Sequence, residues 1–177
     1  MASVSAILIT KNEIQNLPAC LEGLSWCIEI IVVDSGSTDG SVTLARRLGA
    51  RVESRPDWAG FGPQKNRALN LAQGDWVFSI DADERVTPAL AEEIQSAVQC
   101  ADAPDAFSLP RLSSYCGQFM RHGGWYPDRV VRLFRRGKAR FSDDIVHESV
   151  QVQGRVGQLH NDLIHISYRS LEDVLEK

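Results

Sequence analysis

Short apolar runs alternate with amphipathic segments over the first half of the chain. The apolar runs are rich in β-branched residues and too short for helices, so they predict buried strands. Between them, apolar residues recur at helical spacing and predict surface helices. This alternation is typical of an α/β protein with a Rossmann-like, mostly parallel sheet and helices on both faces.

The predicted strands are VSAILIT (4–10), IEIIVVD (28–34), ARVES (50–54) and WVFSI (76–80). The predicted helices are a segment that starts near Asn16, then STDGSVTLARRLG (37–49), PQKNRALNLAQG (63–74) and TPALAEEIQSAVQ (87–99). Ser37 or Thr38 is expected to cap the second helix, because short polar side chains are preferred there.

The pattern changes after residue 105, where short strands follow one another without helices between them. These strands are DAFSLPRL (105–112), RVVRLFRR (129–136), ARFS (139–142) and ESVQVQG (148–154). They predict a mixed or antiparallel extension of the same sheet, and SLEDVLEK (170–177) predicts the start of a further helix. We therefore expect one domain, 1–177, with a ligand-binding half (1–104) and a second half (105–177).

Bulk properties exclude several classes of protein. A length of 177 residues, 44% hydrophobic and 24% charged, is typical of one soluble globular domain. A net charge of −4 gives no reason to expect nucleic acid as a partner. The four cysteines show no CxxC pair or zinc spacing, and no apolar run approaches the ~20 residues that span a bilayer. We expect a reduced, cytoplasmic protein without a signal peptide.

Polar residues follow three of the predicted strands, at 10–13 (TKNE), 34–37 (DSGS) and 81–84 (DADE). In an open α/β sheet, ligands bind beyond the carboxyl ends of the strands. The acid–x–acid pair Asp81 and Asp83 offers oxygen ligands for Mg²⁺ or Mn²⁺. A plainer alternative is that these acids only cap the following helix. We favour the metal interpretation because three such strand ends occur together.

Four segments, taken in order, resemble family 2 glycosyltransferases with the GT-A (nucleotide-diphospho-sugar transferase) fold. They are SAILITKNEIQNL, IIVVDSGSTDGS, FGPQKNRALNLAQGDWVFSIDADE and WYPDRVVRLFRRGKARFSDDIVHESV. The sequence is most similar to the lipopolysaccharide core β-1,4-glucosyltransferase subfamily. The resemblance implies a nucleotide-sugar donor, most simply a UDP-hexose, a divalent metal (Mn²⁺ or Mg²⁺), and inversion at the anomeric carbon.

By the resemblance, residues 1–104 are expected to be the nucleotide-sugar-binding half and residues 105–177 the acceptor and catalytic half. The resemblance also assigns roles to individual residues. Asp83 is expected to coordinate the metal. Ser35 stands where many relatives have a second acid after the second strand. The hydrogen bond to the nucleotide base that such an acid would make is therefore in question here. The residues expected to bind the nucleotide sugar are Thr10, Glu13, Asp34, Lys65, Asn66 and Asp81.

Inverting transfer needs a base that takes a proton from the acceptor hydroxyl. By the same resemblance, the unit VHE (146–148) makes Glu148 the expected base, with Asp144 as the alternative. His165 is a candidate further ligand for the metal or diphosphate, although a satisfied core histidine is the commoner outcome. Without the resemblance, Glu148 is an ordinary acid at the surface of a strand.

Basic residues and aromatics cluster in GGWYPDRVVRLFRRGKARF (123–141). Strand alternation places Arg129, Val131, Leu133 and Arg135 on one face, and Val130, Arg132 and Phe134 on the other. This cluster is either a solvated hairpin or a site for an anionic glycan or glycolipid acceptor. The second interpretation includes peripheral contact with the cytoplasmic face of the inner membrane.

Two rival functions stay open at this point. One is a nucleotide-sugar-binding module without catalysis, against which the metal acids and the acid of the VHE unit argue. The chain ends with SYRSLEDVLEK, where relatives continue with further helices, so the acceptor or membrane part is expected to be missing. The other is a nucleotidyltransferase, which would need a glycine-rich phosphate loop after the first strand. TKNEIQN contains no glycine there, so this alternative ranks low.

Overall fold

A computed structural model describes residues 1–143 and 148–168. Its helices are α1 (Leu17–Glu22), α2 (Ser41–Arg47), α3 (Phe61–Leu71) and α4 (Pro88–Gln99). Its strands are β1 (Val4–Thr10), β2 (Glu29–Asp34), β3 (Arg51–Ser54), β4 (Trp76–Ser79), β5 (Glu84–Val86), β6 (Ala106–Tyr115), β7 (Gln118–Phe119), β8 (Asp128–Arg135), β9 (Ala139–Phe141), β10 (Val150–Val152), β11 (Val156–Gln158) and β12 (Leu163–Tyr168).

The main sheet has the order β3-β2-β1-β4-β8-β6-β12-β5, with β7 and β11 pairing with β6. β1 pairs in parallel with β2 and β4, and β2 with β3, whereas β8 is antiparallel to both β4 and β6. The predicted parallel sheet with a mixed extension is therefore confirmed. β9 and β10 are an exception, since they form a separate two-stranded sheet.

Apolar side chains alternate between the two faces of the parallel strands. Leu8, Val32 and Phe78 face a core that also contains buried residues of α1, α2 and α4. Ile7, Ile31 and Val77 face a second core that contains α3 and Phe141 of β9. Helices thus cover both faces, as the uninterrupted apolar runs predict. Among the described helices, none is long and apolar enough to cross a bilayer.

The second helix begins later than predicted. Ser37 and Thr38 do not cap it, because the Ser37 hydroxyl accepts from the Asn12 backbone N–H and the Thr38 N–H donates to the Asn12 side chain. The loop instead turns at Gly40, where φ is +93°, and α2 starts at Ser41. A left-handed turn of this kind favours glycine, since it has no Cβ to clash. These bonds tie the ends of β1 and β2 together.

Several short strands also depart from the prediction. β5 begins at Glu84, the last acid of the DADE segment, where no strand was predicted, and β7, β11 and β12 were not predicted either. β10 covers only part of residues 148–154. Residues 144–147 and 169–177 are not described, so the helix predicted at 170–177 stays a prediction.

Candidate active site

A cleft of about 340 Å³ opens at the carboxyl ends of β1 and β4. Thr10 and Asp34 are paired at the ends of β1 and β2. Ile80 donates its backbone N–H to Ile7, so Asp81 leaves the sheet at the same edge. The predicted site residues that line the cleft are Thr10, Glu13, Lys65, Asp81, Asp83, Glu148 and His165.

Lys65 connects the two halves of the chain inside this cleft. It lies on α3, which packs against β1 and β2, and only 4% of the residue is exposed. Its Nζ lies 2.9 Å from Asp81 Oδ1 and 2.6 Å from Glu148 Oε1. The ammonium therefore holds an acid from the first half beside the acid expected to be the base.

Arg132 is a site residue that sequence reasoning placed elsewhere. Its Nη2 lies 2.6 Å from Asp81 Oδ2 and 2.7 Å from Glu84 Oε1, and it is buried. A β-bulge explains the difference: Phe107 pairs with Leu133 and Ser108 with Val131, so Arg132 has no partner across the strands.

The same bulge shifts the alternation along β8. Val130 packs with Leu133 in one core, and Val131 packs with Phe134 in the other. The predicted faces of this strand were therefore wrong beyond the bulge, and Arg132 belongs to the site rather than to an exposed basic surface.

The buried negative charges after β4 are stabilised largely by the two cations Lys65 and Arg132. Burial raises the pKa of Asp81, but the positive charges of Arg132 and Lys65 outweigh it and hold the pKa well below its usual range. Glu84 is fully buried, and burial raises its pKa despite the opposing charge of Arg132. Two of the three acids, Asp81 and Glu84, therefore pair with protein cations.

Asp83 is the acid of this cluster that faces His165. The antiparallel pairing of β12 with β5 sets His165 opposite Glu84, and Ile166 N–H donates to the Asp83 carbonyl. His165 Nε2 lies 3.4 Å from Asp83 Oδ2, and its Nδ1 lies 2.9 Å from Ser113 Oγ. Pairing through β12 thus brings together two residues 82 positions apart along the sequence.

A carboxylate and an imidazole side by side fit a divalent cation that is also held by phosphate oxygens. Within residues 1–143 and 148–168, no group of three or more His, Cys, Asp or Glu side chains is arranged to hold a metal by itself. Asp83 and His165 can supply two ligands, and Mg²⁺ and Mn²⁺ commonly take the rest from water and substrate phosphates. These residues therefore fit a metal that binds together with a diphosphate.

Two predicted contact residues have other partners. The Asp34 carboxylate accepts the backbone N–H groups of Gly36 and Ser37 and is 2% exposed. The Asn66 side chain bonds the backbone of Phe141 in both directions, at 2.9 Å each, and lies outside the cleft. The direct contact expected of Asn66 is corrected: it fastens β9 to α3, so it positions the second half of the site.

An aromatic pair at the cleft was missed. Trp58 and Phe61 both line it, are 46% and 42% exposed, and stack edge to face with centroids 4.9 Å apart. The available signal was their place around Gly60, shortly before Lys65 and Asn66. Exposed aromatic rings beside a polar cleft can stack on a sugar or a base.

The basic cluster of residues 129–140 is not a single surface. Arg129 and Arg136 donate to backbone carbonyls, and the guanidinium of Arg135 lies over the ring of Trp76. Arg136, Lys138 and Arg140 remain exposed. Asp144, the alternative base, lies outside the described residues.

The sequence matches glycosyl transferase family 2 over residues 5–149. It is 35% identical over 174 residues to the lipopolysaccharide core biosynthesis glycosyltransferase LpsC of Rhizobium meliloti (strain 1021), covering 92% of this chain and 62% of LpsC. This chain therefore spans less than two thirds of the length of that relative.

Solved structures of similar fold include TarS 1-349 from S. aureus in complex with UDP-GlcNAc. The TM-score is 0.70 at 16% identity, covering 95% of this chain and 59% of that one. Glucosyl-3-phosphoglycerate synthase from Mycobacterium tuberculosis, crystallised with Mn²⁺, UDP-glucose and phosphoglyceric acid, matches with a TM-score of 0.54 at 26% identity, covering 62% of this chain and 44% of that one. These likenesses confirm the predicted fold class.

Proposed function

Because the chain belongs to glycosyl transferase family 2, we propose that it transfers a hexose from a UDP-hexose to a saccharide hydroxyl with inversion. The acceptor is a lipopolysaccharide core or related cell-surface glycan, as the name of LpsC suggests. The observation that carries the proposal is the cleft itself. It brings Asp83, from the first half of the chain, together with His165 and Glu148, from the second half.

The donor is proposed to lie along the carboxyl ends of the parallel strands. Thr10, Glu13 and Ser35 line the end of the cleft nearest β1 and β2 and receive the nucleoside. The buried ammonium of Lys65 provides a positive charge for the ribose or the phosphates. UDP-GlcNAc in the TarS structure and UDP-glucose in the synthase structure support uracil as the base.

Asp83 and His165 would hold Mn²⁺ or Mg²⁺ at the diphosphate. When bound, the cation stabilises the negative charge that develops on the leaving diphosphate. The described protein groups fit this task with an oxygen and a nitrogen ligand at the edge of the cleft.

Glu148 is proposed to take the proton of the acceptor hydroxyl. The hydroxyl oxygen bonds to the anomeric carbon as the bond from that carbon to the diphosphate oxygen breaks, and the nucleoside diphosphate leaves with the electron pair. Lys65 Nζ, 2.6 Å from Glu148 Oε1, holds the carboxylate in position for this step. A base placed in this way typically contributes ~10²- to 10⁴-fold to the rate.

An exposed basic ribbon supports a contact outside the cleft. Arg136, Lys138 and Arg140 are exposed in the segment that follows β8. We propose that they bind anionic groups of the glycan or glycolipid acceptor, including those at the cytoplasmic face of the inner membrane.

The second candidate is a donor-binding module without catalysis. The observation in its favour is that Glu148 is already engaged by Lys65 in an ion pair. Such a module would bind UDP and metal but release no sugar from the donor.

The test is Glu148→Gln, which removes the base but keeps the shape of the side chain. We expect UDP-hexose affinity close to wild type and a rate of sugar transfer lower by ~10²- to 10⁴-fold. Glu92→Gln, at an exposed position of α4, is the matched control and should transfer normally.

Asp144→Asn is the second arm of the same experiment. A large loss in Asp144→Asn together with a normal Glu148→Gln enzyme would exchange the two roles. If wild type binds UDP but turns over no nucleotide sugar, the donor-binding module is the correct function.

A further inference from the structure

The cleft contains a serine whose hydrogen-bonding direction is set by the protein. Ser35 follows β2 directly, is buried, and lines the cleft. Its Oγ accepts a hydrogen bond from Gln64 Nε2 at 2.9 Å, and Gln64 is fully buried on α3. A hydroxyl that reaches the ligand is therefore oriented by a side chain that does not itself line the cleft.

The other partners of the Gln64 amide fix its orientation. Arg67 Nη1 donates to Gln64 Oε1 at 2.8 Å, and Gln64 Nε2 donates to the carbonyl oxygen of Arg55 at 3.0 Å. Turning the amide over would set its NH₂ group against the guanidinium and its oxygen against the carbonyl. Both amide protons are thus used, one on Arg55 and one on Ser35, so Ser35 Oγ is the acceptor in its bond with Gln64.

The proton of the Ser35 hydroxyl is left for a ligand. A hydroxyl carries one proton and two lone pairs, and Gln64 occupies one of the lone pairs. Within residues 1–143 and 148–168, no oxygen accepts the Ser35 proton. Because Ser35 lines the cleft, this proton can be donated to an acceptor that enters it.

A neighbouring hydroxyl also lacks a partner. Thr10 is 4% exposed and lines the cleft, and no group in the described part of the chain bonds to its Oγ1. The Ser35 backbone N–H donates to the Thr10 carbonyl oxygen at 2.9 Å, so the two residues lie side by side. An unpaired buried hydroxyl is costly, which indicates that a polar ligand pairs with it.

Aromatic rings line the same cleft. Trp58 and Phe61 lie there, and the loop that carries Trp58 is fastened to α3. Arg67 makes this connection, since it donates to the carbonyl oxygen and the carboxylate of Asp57 at 2.9 and 2.6 Å. A planar base can stack on such a ring. One arginine therefore holds both an aromatic surface and the Gln64 amide in place.

We infer that Gln64 is a positioning residue that makes Ser35 select a base with a carbonyl oxygen, as uracil has at C4, over one with an amino group there, as cytosine has. Uracil offers that carbonyl to the Ser35 proton and the adjacent N–H to the Thr10 oxygen. An amino group would bond to the remaining lone pair of Ser35 and leave the Ser35 proton buried and unpaired. This inference rests on the proposed function and specifies how its donor is selected.

The serine interacts with the base in the opposite sense to an acid. An ionised acid at position 35 could only accept a hydrogen bond, whereas Ser35 held by Gln64 donates one. The hydrogen bond left in question by the absence of an acid there is thus replaced by a bond to a different atom of the base.

Two substitutions test the direction of this hydrogen bond. Ser35→Ala removes the donor. Gln64→Glu keeps the shape of the side chain, but its carboxylate accepts the Ser35 proton, so the serine oxygen then faces the cleft with its lone pairs. Arg67 already lies beside Gln64 Oε1 and can pair with the new charge. Gln158→Glu adds the same charge at an exposed position of β11 outside the cleft and is the matched control.

Calorimetry with UMP and with CMP, both in EDTA, measures the preference without metal or turnover. We expect wild type and Gln158→Glu to bind UMP at least ~10-fold more tightly than CMP. Ser35→Ala should weaken UMP binding by ~3- to 10-fold and reduce the preference to less than ~3-fold. Gln64→Glu should bind CMP more tightly than UMP. Altered packing alone would weaken both nucleotides alike, so this reversal distinguishes a positioning role from a structural one.

The outcomes separate this inference from the proposed function. If wild type binds neither UMP nor CMP, nor UDP in Mn²⁺, the proposed function itself is contradicted. If wild type binds UDP but does not prefer UMP to CMP, or if Ser35→Ala keeps the wild-type preference, this inference alone is overturned. A folded Gln64→Glu protein that still prefers UMP overturns it as well.

Thermal unfolding shows whether Gln64→Glu is folded. If it is not, Gln64→Met takes its place, because it leaves the Ser35 hydroxyl free to turn and should reduce the preference to less than ~3-fold. A folded Gln64→Met protein with the wild-type preference would overturn the positioning role of Gln64.

Discussion

Arg132 is the group on which the charge balance of the site depends most, so we predict the effect of replacing it in detail. Arg132→Met keeps much of the volume and removes the cation. Glu84 would then remain fully buried, and its negative charge would be stabilised by the Asp81 backbone N–H and by Arg111, whose Nη1 lies 3.7 Å from Glu84 Oε1. Asp81 would keep Lys65.

Removing one partner of a buried ion pair typically costs ~3–5 kcal/mol, because the remaining charge is buried without its partner. We expect a loss of this size in the free energy of unfolding. For a domain of this length, ~2–4 °C in Tm per kcal/mol gives a fall of about 6–20 °C. Replacing a surface arginine would lower the free energy of unfolding far less, since exposed ion pairs contribute ~0–1 kcal/mol.

The loss should depend on pH through Glu84. Because burial raises the folded-state pKa of Glu84, the folded state binds more protons than the unfolded state at pH values between the ordinary pKa of ~4.3 and the raised pKa. Stability therefore falls as pH rises through that window, and more steeply without Arg132. We expect Arg132→Met to lose less stability at pH 5 than at pH 8.

Urea unfolding of wild type and Arg132→Met at pH 5 and at pH 8 measures these losses in the free energy of unfolding. The double variant Arg132→Met with Glu84→Gln is the control, because it removes the unpaired buried charge and should recover part of the lost stability. An Arg132→Met protein within ~1 kcal/mol of wild type at pH 8, or a double variant no more stable than Arg132→Met, would refute this account of the site.

Three further predictions concern packing, the nucleoside loop and thiol chemistry. Gly62→Ala should lose ~1–3 kcal/mol in urea unfolding despite the better helix propensity of alanine, because a Cβ there would clash with the Ser142 carbonyl oxygen; unchanged stability would show that α3 can move away freely. Asp34→Ala should weaken UMP binding in EDTA and cost ~1–3 kcal/mol, since two backbone N–H groups lose their acceptor; normal UMP affinity by calorimetry would assign Asp34 to structure alone. Burial raises the pKa of the Cys20 thiol to about 12, so at pH 8 iodoacetamide should modify exposed Cys100 and spare Cys20 in the folded protein, as peptide mass spectrometry can show.

Sequence reasoning located the site because parallel strands bring their carboxyl ends to one edge. Thr10 and Asp81 are each the polar continuation of a buried apolar run, and this signal is local. The position of Glu148 beside Lys65 is a different case. It depends on packing of the second half of the chain against α3, and only the resemblance to a family pointed to it.

Other features depend on details that periodicity does not encode. The bulge at Arg132 shifts the alternation of β8 by one residue and turns a predicted surface arginine into the partner of two buried acids. His165 reaches Asp83 because β12 pairs with β5, a three-residue strand that has no pattern of its own. Pairing of such short strands is set by tertiary contacts rather than by propensity.

The central claim is that this cleft binds a nucleoside diphosphate together with a divalent cation at Asp83. Calorimetric titration of UDP into wild type, Asp83→Ala and the exposed control Asp102→Ala, each in Mn²⁺ and in EDTA, tests it most directly. We predict that Mn²⁺ tightens UDP binding to wild type and to Asp102→Ala, and that Asp83→Ala loses this gain while keeping the affinity measured in EDTA. Asp83→Ala that binds UDP in Mn²⁺ as tightly as wild type would contradict the claim.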